Sequence, residues 1–74
     1  MLGEELRKRR LSKNLTQEEL AFRAGISRNY VSLIELNQKS PTVDVFMRLC
    51  DAIGVSAATV MARVERQRKR REGS

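Results

Sequence analysis

The 74-residue sequence contains no histidine, a single cysteine and a single proline. Without histidine, and with Cys50 alone, neither a zinc constellation nor an intramolecular disulfide can be assembled. Those are common supplements for a chain this short, which buries only about 60% of the surface its unfolded form exposes. Association with a second subunit is the supplement that remains. The same two absences weigh against catalysis, because the usual proton shuttle is missing and the lone thiol has no imidazole to activate it. The chain reads as a binding protein rather than an enzyme, with no cofactor and no metal. Aromatic residues are also scarce: Phe22, Tyr30 and Phe46 are too few and too dispersed to form a platform that stacks single-stranded bases. No apolar run approaches the roughly 18 residues that span a bilayer, and residues 1–5 have neither the basic nor the apolar region of a signal peptide. The expectation is a cytoplasmic protein with no membrane partner.

What the chain has in excess is positive charge, a net +6. Residues 63–74 hold six basic and two acidic side chains, so +4 of that total belongs to this segment. A second cluster, Arg7 to Arg10 with Lys13, is offset by Glu4 and Glu5. Such runs are either solvated surface or a footprint for a polyanion, and duplex DNA suits this composition better than a membrane or a single strand.

Punctuation along the chain predicts five helices and no strand. Leu2, Leu6 and Leu11 suggest a first helix over about residues 2–13, ended by Asn14. Thr16 and Glu19 match a capping box that opens a short second helix, with Leu20, Ala21 and Ala24 on one face and Gly25 as its stop. Ser27 is the next N-cap, and the third helix runs to about Leu36 with Val31 and Ile34 inward. Asn37 can adopt the left-handed backbone that ends a helix, and Pro41 delays resumption until Thr42 caps the fourth. Phe46, Leu49, Cys50 and Ile53 form the inner stripe of that helix, where Cys50 is a small buried hydrophobe. Gly54 closes it, and Ser56 opens a fifth helix that includes Val60, Met61 and Val64. The expected organisation is one domain over 1–64 followed by a basic tail over 65–74.

Residues 16–35, TQEELAFRAGISRNYVSLIE, describe two short helices joined by a tight turn at Gly25, with small Ala21 where they cross. Together with Pro41 and the run Ile53-Gly54-Val55-Ser56, this order of features resembles the Cro/repressor-like (XRE) helix-turn-helix family from about Leu2 to Val60. Within it, Ser27-Arg28-Asn29-Tyr30-Val31-Ser32 is most similar to the controller proteins of restriction-modification systems. The resemblance implies an all-α, five-helix repressor-like bundle with the helix-turn-helix at helices 2 and 3, and a sequence-specific regulator bound to double-stranded DNA.

If Val31 and Ile34 face inward, helical spacing turns Arg28, Asn29, Ser32 and Leu33 outward together. Arg can pair bidentately with guanine and Asn with adenine, Ser can reach either a base or a phosphate, and Leu can meet a thymine methyl. These four are the expected base contacts. By the resemblance, Gln17 at the start of the second helix holds a phosphate, and the loop residues Asn37, Lys39 and Ser40 grip the backbone. Ser27 and Tyr30 join them as expected phosphate contacts, with Arg7, Arg9 or Lys13 as further candidates. The family also pairs an Arg and a Glu at positions matching Arg10 and Glu35, which implies a structural ion pair rather than a DNA contact. A short recognition helix reads few base pairs, so a homodimer on a pseudo-palindromic operator is expected. Its interface is expected at Val55, Ala58, Met61, Ala62 and Val64. The alternative left open is an antitoxin-like subunit that binds a protein partner while also touching DNA.

Overall fold

Three of the four connections between helices end in a tripeptide of one kind: Asn14-Leu15-Thr16, Gly25-Ile26-Ser27 and Gly54-Val55-Ser56. In the computed structural model, which describes residues 1–73 and their side chains through residue 70, the first member of each is left-handed, with φ of 58°, 72° and 85°. That conformation lets the next amide close the preceding helix, so that Leu15 donates to the Arg10 carbonyl at 3.2 Å, Ile26 to Ala21 at 3.0 Å and Val55 to Cys50 at 3.0 Å. The third member then caps the following helix: the hydroxyls of Thr16, Ser27 and Ser56 accept from the amides of Glu19, Tyr30 and Thr59. The middle residue is apolar and precedes a buried Leu20, Val31 or Val60 by five positions, the spacing of a hydrophobic staple.

Five helices result among the described residues: α1 (Leu2–Ser12), α2 (Gln17–Ala24), α3 (Arg28–Glu35), α4 (Val43–Ile53) and α5 (Ala57–Gly73). This is the expected all-α class. The longer α3–α4 connection obeys the same logic, since Asn37 is left-handed at φ 59°, Gln38 donates back to Leu33 at 2.9 Å, and the Thr42 hydroxyl accepts from Val45 at 3.1 Å. α2 packs against α3 and α4, while α5 closes the bundle against α1 and α4. Leu6, Leu20, Val31, Ile34, Leu49 and Val60 lie at the centre with Cys50, each almost fully buried. Each large side chain there stabilises the bundle by about 1.5–3 kcal/mol relative to exposure.

Leu11, on α1, is 47% exposed. It follows Leu6 by five positions, which at 100° per residue turns it about 140° away. The buried face of α1 instead combines Leu6 with Gly3, Glu5 and Arg10. α5 continues without a break through the basic segment as far as Gly73.

Candidate nucleic-acid interface

A turn at Gly25-Ile26-Ser27 joins α2 to α3, and a buried polar network ties both helices to α1. Arg10 grips Glu35 with two prongs, Nε to Oε2 at 2.7 Å and Nη2 to Oε1 at 3.0 Å, while Nη1 donates to the Leu15 carbonyl at 2.7 Å. Both side chains are under 10% exposed. Gln17 adds a third strut by donating Nε2–H to Glu35 Oε1 at 3.1 Å. A primary amide carries two N–H donors, so the second remains available at the protein surface. The cationic charge of Arg10 is thus taken up inside the protein, and the network fixes α3 against both α1 and α2.

Above this network α3 presents one outward face. Arg28 and Asn29 are exposed, Ser32 and Leu33 are half-buried at its margins, and Val31, Ile34 and Glu35 face inward. Leu36, just past the helix, is 62% exposed. Arg28, Ser32 and Leu36 recur at four-residue intervals and so share a side, a spacing that places Leu36 beside the four residues singled out from sequence. Between α3 and the start of α2 lies an open cleft of about 410 Å³ lined by Arg10, Thr16, Gln17, Glu18 and Arg28. The start of α2 and the first residue of α3 both border this cleft, with Arg28 as a cation and Glu18 as an anion on its walls.

The expected phosphate contacts fall into two groups. Gln17 borders the cleft, while Lys39 and Ser40 are exposed in the loop after α3. Ser27 uses its oxygen to cap α3, accepting from Tyr30 N–H at 3.0 Å, and keeps a hydroxyl proton to donate. Tyr30 is half-buried with its ring against the core. Asn37 differs: its Oδ1 accepts from Gly3 N–H at 2.9 Å and its Nδ2 donates to Glu4 at 3.4 Å, so the side chain is turned toward α1. Of the N-terminal cations, Arg9 donates Nε–H to the buried Glu5 at 2.8 Å, whereas Arg7 and Lys13 are exposed.

The five residues expected at a subunit interface also divide. Ala58, Met61 and Ala62 point outward from α5, whereas Val55 and Val64 pack against the protein's own core. Other exposed apolar side chains are Phe22 on α2, 89% exposed, and Val43 and Met47 on α4. Elsewhere, the Thr16 amide and hydroxyl hold the Glu19 carboxyl below its ordinary range. Burial, reinforced by Asp51, pushes the Cys50 thiol upward. Among the described residues no cluster of metal-ligating side chains occurs.

Residues 6–60 match the helix-turn-helix family. The chain is 39% identical over 56 residues to the HTH-type transcriptional regulator y4dJ of Sinorhizobium fredii, covering 76% of this chain and 73% of that protein. It is 38% identical over 56 residues to the control protein C.BamHI of Bacillus amyloliquefaciens, covering 74% and 69%. Among solved structures, the restriction-modification controller protein C.AhdI of Aeromonas hydrophila superposes with a TM-score of 0.78 at 32% identity, covering 80% of this chain and 89% of that one.

Proposed function

The chain belongs to the helix-turn-helix family as a transcriptional regulator related to restriction-modification controller proteins, and from that premise we propose that it reads a pseudo-palindromic operator as a homodimer. The observation that carries this reading is the outward face of α3, which gathers a guanidinium, an amide, a hydroxyl and apolar side chains on a helix of eight residues. Arg28 and Asn29 make the bidentate base contacts, each discriminating by about 1–3 kcal/mol. Ser32 reaches a base edge or a phosphate, and Leu33 with Leu36 meets thymine methyl groups. Gln17, Ser27, Tyr30, Lys39 and Ser40 hold the flanking phosphates and set the register. Two copies join through Ala58, Met61 and Ala62, placing their recognition helices one turn of DNA apart, roughly 34 Å. The work of such a regulator lies in the cytoplasm, with the chromosome.

Selection of binding sites from random duplexes tests the reading, because it reports sequence, symmetry and half-site spacing together. The expected product is an inverted repeat, bound by two copies. Arg28→Ala or Asn29→Ala should weaken binding to that site about tenfold or more while leaving binding to scrambled duplex nearly unchanged. Equal losses on both duplexes would refute the base-contact assignment, and an unsymmetrical site bound by one copy would refute the dimer.

A further inference from the structure

The first turn of α1 lies against the last turn of α3 more closely than any side chain would permit. A Cβ on Gly3 would stand 2.2 Å from the Ile34 carbonyl oxygen, 2.7 Å from that of Glu35 and 2.8 Å from Asn37 Oδ1. Among the described residues the positive-φ glycines are Gly25 and Gly54, so Gly3 is required for space rather than for conformation. Its N–H belongs to the first turn of α1, whose amides have no acceptor within their own helix. Asn37 Oδ1 supplies that acceptor at 2.9 Å. The backbone of the same asparagine, left-handed at φ 59°, closes α3: Asn37 N–H donates to Ile34 at 3.0 Å and Gln38 N–H to Leu33 at 2.9 Å. One residue therefore ends α3 through its main chain and holds the start of α1 through its side chain. A glycine at this position could perform only the first task.

We propose that Gly3 and Asn37 form a seam that sets the angle at which α3 presents Arg28, Asn29, Ser32 and Leu33 to DNA. Asn37 is then a positioning residue, not a phosphate contact. The inference rests on the reading of α3 as the recognition helix. Eight residues at 1.5 Å each make α3 only about 12 Å long, so a shift of about 1 Å at its C-terminal end tilts it by about 5°. Relieving a 2.2 Å contact demands a shift of that size. Base contacts, whose hydrogen bonds need good distance and alignment, weaken under such a tilt before the diffuse attraction to phosphates does.

The test compares Gly3→Ala and Asn37→Gly with the unaltered protein. Each is measured for affinity to the selected duplex, affinity to a scrambled duplex, circular dichroism, and amide chemical shifts without DNA. Gly3→Ala should retain helicity, shift the amides of residues 28–35 in the free protein, and lose about tenfold in specific affinity, the scale of one base contact. Scrambled duplex should bind within about twofold of the unaltered protein, because its attraction is to phosphates alone. Asn37→Gly should move the same amides and the same affinity by less. Unchanged specific affinity in a folded Gly3→Ala would overturn the proposal. So would an Asn37→Gly protein with unshifted α3 amides that loses specific and scrambled binding equally, the behaviour of a phosphate contact; this variant carries the test if Gly3→Ala fails to fold. Should the unaltered protein prefer no duplex over scrambled DNA, the functional reading falls, and the seam then stands or falls on the α3 amide shifts.

Discussion

Replacing Arg10 with methionine keeps the apolar stem of the side chain and removes its guanidinium. Three hydrogen bonds go with it, two to Glu35 and one to the Leu15 carbonyl. Glu35, whose side chain is 3% exposed, is left with the neutral amide of Gln17 as its remaining partner. A buried charge stripped of its counter-ion destabilises a protein by about 3–5 kcal/mol. A 74-residue domain has a total stability of roughly 4–11 kcal/mol, so Arg10→Met should remove a large part of it. Urea unfolding followed by helical circular dichroism, at one fixed protomer concentration, measures the loss. The double variant Arg10→Met, Glu35→Met has no stranded carboxylate and should be more stable than Arg10→Met alone, giving a coupling energy of about 2 kcal/mol or more. A loss under about 1 kcal/mol for the single variant would mean that the pair is not desolvated. If the two substitutions were simply additive, the cost would lie in packing rather than in the stranded charge.

Other outcomes follow from the same structure. Cys50 is buried and its thiol is pushed above the ordinary range, so it should resist alkylation at pH 8 in the folded protein and react promptly in denaturant; fast native reaction would contradict its place in the core. The carboxyl of Glu19 is held below its ordinary range by Thr16. Because the folded form is the better acid, its contribution is complete above the unfolded pKa of about 4.3 and disappears as pH falls through the lower folded value. Glu19→Gln, which can still occupy the capping box, should therefore lose less stability than the unaltered protein between pH 6 and pH 3 in acid-unfolding titrations. Deleting the chain from Arg66 onward should flatten the dependence of log affinity on log salt by about 0.9 for each phosphate contact removed, and an unaltered slope would show that the segment touches no phosphate.

The parts of this molecule that are legible in sequence are those written within a few residues. Thr16 and Glu19, Gly25 before Ser27, and the Phe46-Leu49-Cys50-Ile53 stripe each declare a cap, a stop or a face through neighbours on the same turn. The outward side of α3 follows because two inward residues suffice to orient a helix of eight. Less legible are features decided by distant partners. Nothing near Asn37 announces that its amide reaches back 34 positions to Gly3, and its loop position suggests a phosphate contact instead. Leu11 helps to announce α1, but which residues face inward is decided by the buried polar groups Glu5 and Arg10, whose partners are not all on the same helix. The division of α5 into an inner Val64 and an outer Ala58, Met61 and Ala62 depends on where α1 and α4 meet it.

The unbroken course of α5 changes what its basic segment can do. An arm of loose chain sweeps a volume, whereas a helix carries its charges at fixed heights of about 1.5 Å per residue. Arg66 and Arg70, both exposed, stand four positions apart, where like charges repel across one turn. An anion laid along this side relieves that repulsion, so helix formation and anion binding must strengthen each other by equal amounts. Added salt screens the same repulsion between these fixed charges.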